Sequence, residues 1–438
     1  MISCSEGKAP LEEKRPNIIL IFMDDMGYGD LECYGHPLIK TPHLNKMAEE
    51  GMRFTSFYAA GAVCTPSRAG ILTGRYPVRN APYNFGPESD TGLPLSEITI
   101  ADILGEAGYK TTAIGKWHLG HKPEYLPTSR GFDSFYGLPY SNDMILPWCP
   151  WLSEDDKLHM YRDTSIIREV GKQQHELSLD YTQEAISFIQ KNKGNPFFLY
   201  LAHSMPHLPV SAPKKFQGSS AAGLYGDVIE SIDWTVGEIL KTLEEENLKQ
   251  NTFIVFTSDN GPWHNLPDRM LAEGIEKWHT GSAGMLRGAK ATTYEGGLRV
   301  PAIMYWPGTI APQQTNRELV TALDLFPTFV EIGGGELPNG LVLDGMNILP
   351  MITGKGPSPR NTFFYSKEKT LEAIRQDEWK LRITEKDGKE LYNLHEDPSE
   401  MYNRVDAHPE LVRELTQKLE RFAKQTEADV HTEISENK

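Results

Sequence analysis

The stretch "NIILIFMDD", residues 17–25, decides the fold. A short apolar run, partly β-branched, ends abruptly at two aspartates. Continuous rather than alternating apolarity marks a strand covered on both faces, as in the parallel sheet of an α/β protein. Four more runs share that character: "TTAIG" (111–115), "PFFLYLA" (196–202), "TFIVFT" (252–257) and "PAIMYW" (301–306). Helical patterns lie between them, "ITIADILGEAG" (98–108), "SLDYTQEAISFIQKN" (178–192) and "YGDVIESIDWTVGEILKTLEEEN" (225–247). A further pattern, "TALDLFPTFVEIGG" (321–334), closes on glycines, a common helix stop. The order predicts an α/β fold: a large doubly wound, mostly parallel sheet flanked by helices.

Beyond "LDGMNILPMITGKGPSPR" (343–360) the character changes. Short strand signals, "TFFYS" and "WKLRIT", lead to "ELYNLHEDPSEMYN" and an amphipathic helix, "HPELVRELTQKLERFAKQ" (408–425). These predict a smaller C-terminal α+β domain built on an antiparallel sheet. The expected organisation is a tether at 1–14, a catalytic α/β domain at 15–345 and the C-terminal subdomain at 346–438.

The 438 residues carry a formal charge of −16, which excludes a nucleic-acid-binding surface and requires local cations for any anionic substrate. The four cysteines, Cys4, Cys33, Cys64 and Cys149, fit neither a zinc pattern nor a disulfide framework. The start, "MISCSEGKAPLEEKRPN", lacks the apolar core of a signal peptide, and no Asn-x-Ser/Thr sequon occurs. Its "ISC" is like the remnant of a bacterial lipoprotein box. The expected location is therefore the bacterial periplasm, the outer membrane or the exterior, with a lipid anchor on Cys4 as the only membrane attachment.

The chemistry lies in the residues immediately after each strand. The first runs into Asp24-Asp25, the second into Lys116-Trp117-His118, the third into His203 and His207, and the fourth into Asp259-Asn260-Gly261. In open α/β sheets the ligand site lies outside the carboxyl ends of the strands, so all four deliver polar groups to one rim. Asp24, Asp25, Asp259 and Asn260 offer only oxygen, a set suited to Ca²⁺ or Mg²⁺ and not to zinc. Lys116, Arg68 and Lys290 are candidates to bind a tetrahedral oxyanion. Cys64 stands where "CTPSRAGILTG" enters a helix, a position favouring bound anions. There the thiol is either a nucleophile of depressed pKa or a buried structural cysteine.

"C-T-P-S-R-A-G-I-L-T-G-R", residues 64–75, resembles the signature of the type I sulfatases. The resemblance extends through "GKWHLG", "AHSMPHLP", "FTSDNGP" and "AKATTYEGGLRVPA", and is strongest towards the arylsulfatase A and N-acetylgalactosamine-6-sulfatase branch. It implies an alkaline phosphatase-like fold and a sulfuric ester hydrolase acting on a sulfated saccharide or an aryl sulfate. It also implies oxidation of Cys64 to Cα-formylglycine by a maturation enzyme, the aldehyde being hydrated to a geminal diol.

The resemblance further implies that Asp24, Asp25, Asp259 and Asn260 hold Ca²⁺ beside residue 64, with Mg²⁺ as an alternative. Arg68 would orient residue 64, Lys116 and Lys290 would bind sulfate oxygens, and His118 would pair with the diol. Ser141 would touch the sulfate, and His207, in the "P-H-x-P" pattern, would protonate the leaving group. His203 is either a further substrate contact or a buried histidine at the strand end, and His264, on a loop near the rim, is a further candidate substrate contact or part of its own loop's packing. Asn142 departs from the branch, where His is common, and leaves the substrate pocket open. Trp148, Trp151, Trp263 and Trp278 either stack on sugar rings or pack their own loops. Two alternatives remain at this level: a phosphonate monoester hydrolase or phosphodiesterase using the same modified cysteine, and a non-catalytic sulfated-sugar-binding protein.

Overall fold

The computed structural model describes residues 15–431. The tether expected at 1–14, Cys4 included, lies outside the described residues. At the centre are five parallel strands: β1 (Asn17–Met23), β2 (Lys110–Lys116), β3 (Ser134–Leu138), β4 (Phe197–Ala202) and β5 (Thr252–Ser258). Their spatial order is β3-β2-β4-β1-β5, so β1 lies between two neighbours that each pair with it.

Successive side chains of a strand point to opposite faces, and β1 uses both. Ile18, Leu20 and Phe22 enter one apolar cluster with helices α1 (Cys64–Thr73), α2 (Ile100–Glu106) and α5 (Leu325–Gly333). Ile19, Ile21 and Met23 enter a second cluster with α3 (Leu177–Asn192) and α4 (Gly223–Glu245). Each such side chain contributes about 1.5–3 kcal/mol on full burial. The central strand thereby fixes two helical layers at once.

The sixth strand differs from expectation. "PAIMYW" reads as another parallel strand, but β6 (Ala302–Tyr305) runs antiparallel to β5. The reason lies in the connection: between β5 and β6 the longest helix is one turn, Glu295–Leu298. Without a crossover helix the chain returns alongside β5 in the opposite direction. Residues 52–54 and 314–316 extend the sheet beyond β6, and an antiparallel hairpin, residues 159–169, extends it beyond β3.

The C-terminal part forms the expected antiparallel sheet, with strands Thr362–Lys367, Thr370–Gln376, Trp379–Thr384 and Gly388–Asn393 in sequence order. Helix α6 (Pro409–Thr426) covers it with Leu415, Leu419 and Phe422, one buried stripe at helical spacing. The two sheets share a core, since Phe363, Tyr365 and Leu381 belong to the same apolar cluster as α1 and α5. A buried ionic triad crosses the seam. Lys380 Nζ lies 3.0 Å from Glu295 Oε1 and 2.7 Å from Glu400 Oε1, with all three side chains fully buried. The hydroxyls of Tyr58 and Tyr365 donate to Glu295 as well.

Candidate active site

The carboxyl ends of β1, β2, β4 and β5 converge, and the residues after them meet around Cys64. Oxygens of Asp24 and Asp25, Cys64 Sγ and a ring nitrogen of His207 all lie within 4.8 Å of one another. Cys64 Sγ is 3.3 Å from Asp24 Oδ1 and 3.3 Å from Lys290 Nζ. Lys290 Nζ reaches Asp25 Oδ1 at 2.7 Å, and Lys116 Nζ donates to Asp24 Oδ2 at 2.6 Å and to Ser141 Oγ at 3.0 Å. His207 Nε2 lies 3.6 Å from Asp25 Oδ2.

Asp259 and Asn260 join from the end of β5. Asp259 Oδ1 accepts the Asp25 amide at 3.1 Å, and Asn260 Nδ2 donates to Asp25 Oδ1 at 2.7 Å. Asn260 Oδ1 is buried and has no hydrogen-bond partner among the described residues. A buried carbonyl oxygen without a donor is costly unless something electropositive meets it. With the carboxylates of Asp24, Asp25 and Asp259 beside it, the donors are those of a hard divalent cation such as Ca²⁺. The residues present therefore fit the metal that the resemblance implies.

Arg68 occupies a different place from the free oxyanion fork expected of it. It is fully buried; NH1 donates to the Lys116 carbonyl at 2.7 Å, and NH2 to Asp259 Oδ2 at 3.0 Å. The guanidinium thus ties the β2 end to the acidic cluster. The helix entrance also differs from the expected anion cradle. The Thr65 amide is capped by Asn84 Oδ1 at 3.0 Å, residue 66 is proline, and the Ser67 amide bonds to the Val63 carbonyl. Side-chain cations rather than helix amides face the cleft.

Burial and neighbouring charge set the protonation states. Burial alone would raise the Asp24 carboxyl, but Lys116, His207, Arg68 and Lys290 hold it well below the usual range. Burial and the Asp24 charge push Asp259 up to about 7. The Cys64 thiol is driven well above its ordinary value by burial and by Asp24. Both effects oppose the depressed-pKa thiolate that a helix entrance would favour. His118 is held neutral by burial and by the cations Lys116 and Arg68. His207 is lowered by burial and by Lys290.

Backbone geometry marks the same places. Asp25, His118 and Ala291, the residue after Lys290, have φ of 62°, 60° and 65°, in the left-handed region that side chains rarely adopt. The loop bearing Lys290 is locked to the loop bearing Asn260. Lys290 N donates to the Pro262 carbonyl, Gly261 N donates to the Gly297 carbonyl, and a Cβ on Gly261 would lie 1.8 Å from the Gly296 carbonyl oxygen. His118 is placed through Thr65, whose hydroxyl donates to the His118 carbonyl at 2.7 Å, while both His118 ring nitrogens are buried without hydrogen-bond partners among the described residues.

The remaining expected contacts are placed elsewhere. His203 is fully buried, with Nδ1 accepting the Met205 amide at 3.0 Å and its ring edge-on to Tyr181. His264 is exposed, and its Nε2 lies 2.7 Å from the Gly281 carbonyl oxygen. Trp148 is buried packing, whereas Trp151 and Trp278 are exposed. Trp263 packs against the His207 ring and beneath Lys290. Sequence reasoning missed Asn84, Arg269 and Glu295. Asn84 and Arg269 carry no local signal, but an acid inside the apolar "EGGLRVPA" was a legible sign of buried pairing.

The chain is similar to known proteins along most of its length. A family model described as Sulfatase matches residues 16–335, and one described as N-sulphoglucosamine sulphohydrolase, C-terminal, matches residues 288–425. Arylsulfatase A of Bos taurus is 37% identical over 449 residues, covering 92% of this chain and 86% of its own. N-acetylgalactosamine-6-sulfatase of Mus musculus is 39% identical over 386 residues, covering 84% of this chain and 72% of its own. The solved structure of the PsFucS1 sulfatase from Pseudoalteromonas sp. superposes with a TM-score of 0.83 at 28% identity, over 94% of this chain and 91% of that one.

Proposed function

The chain belongs to the sulfatase family, and from that membership we propose that it hydrolyses the sulfate ester of a sulfated saccharide, using Ca²⁺ and a formylglycine made from Cys64 by a maturation enzyme. The observation that carries the reading is the surrounding of Cys64 Sγ by Asp24, Asp25, Lys290 and His207. The saccharide class rests on relatives such as the N-acetylgalactosamine-6-sulfatase.

Asp24, Asp25, Asp259, Asn260 and residue 64 would hold the cation, which together with oxidised residue 64 supplies charge neutralisation and an oxygen nucleophile. Lys116, Lys290 and Ser141 bind the non-bridging sulfate oxygens. Arg68 acts through Asp24 and Asp259, keeping the acidic cluster in register with the end of β2. His207 gives a proton to the departing alcohol oxygen. His118, held neutral, accepts a proton when sulfate leaves. His203 holds the end of β4 and His264 joins two rim loops, so their part in substrate binding is to shape the cleft. Among the described residues no helix is long and apolar enough to cross a membrane. A periplasmic or cell-surface location is checked by fractionation of the native host.

The test is Cys64→Ala beside wild type, assayed on an aryl sulfate and a phosphonate monoester, with intact mass of the peptide containing residue 64. The reading expects sulfate-ester turnover in wild type alone, weaker phosphonate cleavage, and a mass in which an aldehyde oxygen has replaced the thiol. An alanine variant of normal activity refutes it.

A further inference from the structure

The leaving-group side of the cleft has a charged feature that sulfate cleavage does not use. Trp263 packs on two groups at once: its ring lies 5.7 Å from the His207 ring and 4.9 Å from Lys290 Nζ. Arg269 stands beside the same indole. Its guanidinium carbon is 5.8 Å from the Trp263 ring and 5.1 Å from that of Trp151, which is 63% exposed. The guanidinium is therefore held between two aromatic rings, one indole away from the site for sulfate.

One edge of that guanidinium is anchored. NH1 donates to the Trp148 carbonyl and lies 3.6 Å from Asp143 Oδ2. Among the described residues, Nε and NH2 make no hydrogen bond, and the side chain is 24% exposed. Anchoring lowers the conformational entropy lost when the remaining edge binds a ligand. The whole molecule is acidic, with a formal charge of −16, so a second anion on a substrate needs a cation of this kind.

We propose that Arg269 reads a second anionic group, a carboxylate or a further sulfate, on the same saccharide whose sulfate ester is cleaved. Trp151, which is exposed, presents a face to the sugar between the two anions, Trp263 spaces Arg269 from His207 and Lys290, and Arg269 sets specificity without touching the reacting atoms. The inference rests on the sulfatase reading and deepens it. The preferred substrate is a polyanionic glycan fragment, such as a sulfated hexosamine joined to a hexuronate or carrying a second sulfate.

The test measures kcat/KM for wild type, Arg269→Gln and Arg269→Lys on three probes. These are N-acetylgalactosamine-6-sulfate, a disaccharide joining that sugar to a hexuronic acid, and the disulfated sugar. A charge-assisted hydrogen-bonded contact corresponds to about 10–100-fold in binding. Wild type is expected to favour one dianionic probe by that factor, and the probe favoured separates carboxylate from sulfate recognition. Arg269→Gln is expected to abolish the preference, and Arg269→Lys to recover part of it. Wild-type cleavage of all three probes at equal efficiency overturns the second site and leaves the sulfatase reading standing. Equal losses on all three in Arg269→Gln also overturn it, by showing that the residue only supports the loop. Failure of wild type to cleave any sulfate ester refutes the sulfatase reading itself, and the inference with it.

Discussion

Lys290 Nζ lies 3.3 Å from Cys64 Sγ, although 226 residues separate the two in sequence. Burial would lower this ammonium, but Asp25, with Cys64, Asp24 and Asp259 behind it, raises its pKa, so the lysine stays charged. A fixed cation beside the reacting position stabilises charge that develops on the sulfate oxygens. Lys290→Ala is expected to lower kcat by about 10²–10³-fold while the far-ultraviolet circular dichroism stays native. Turnover within a few-fold of wild type would exclude Lys290 from the reaction.

Removal of the cation is a second test. Treatment with a chelator is expected to abolish turnover, and Ca²⁺ to restore it. Asn260→Ala removes the unpartnered oxygen and is expected to weaken Ca²⁺ affinity by about tenfold or more, the loss of one good polar contact. Calorimetric titration of the chelated protein with Ca²⁺ reads this directly. An affinity unchanged by the substitution would place the ion elsewhere.

His207 is separable from the other polar groups by leaving-group chemistry. A general acid matters most when the departing oxygen is basic. His207→Gln is expected to slow cleavage of a sugar sulfate by about 10²–10⁴-fold, but to affect a nitrophenyl sulfate, whose leaving group needs no proton, much less. Equal losses on both would assign His207 a purely structural part.

The buried triad is a stability feature with a catalytic neighbour. Lys380→Ala would leave Glu400 without its counter-ion and Glu295 with Arg299, 3.5 Å from its Oε2, in place of the lysine, a change of about 3–5 kcal/mol. The Glu295 amide also donates to Glu400 Oε2 at 2.7 Å, which holds the segment after Lys290. Guanidinium unfolding is expected to show that loss, and Lys380→Met with Glu400→Gln to show a smaller one. A Lys380→Ala variant as stable as wild type would mean the pair is solvated in solution.

The Asp30 carboxyl is pushed up to about 7 by burial, against hydrogen bonds from the Tyr225 hydroxyl and the Ser282 and Gly27 amides. Its folded pKa exceeds the ordinary carboxyl value of 3.8, so the native state binds this proton more tightly than the unfolded chain does. The resulting stabilisation is complete below about pH 4 and is lost as pH rises through about 7. Asp30→Asn is expected to flatten that decline, read by urea unfolding at about pH 5 and about pH 8. Identical slopes in the two proteins would contradict it.

Much of the site was legible because a parallel sheet exports chemistry to one edge. The aspartates after β1 and β5, Lys116 at the end of β2 and the histidines after β4 each adjoin an apolar run that only a strand explains. Lys290 sits on no such run and was found through the family motif. Arg269 and Asn84 act through contacts 121 and 19 residues away in sequence, distances that no local pattern encodes. The reversal of β6 was hidden because an apolar run has no direction, and direction came from the connection. The hairpin strand Ser165–Glu169 escaped for the opposite reason: every residue in it is exposed, so it leaves no hydrophobic period to read.

The seam between the sheets has a practical consequence for dissecting the protein. A fragment ending near residue 345 would retain Glu295 without Lys380, and would uncover the apolar surface that Phe363, Tyr365 and Leu381 now cover. Such a fragment would be an aggregating chain rather than a minimal enzyme. The change of character in the sequence marks where one sheet gives way to another, and it is not a place to cut.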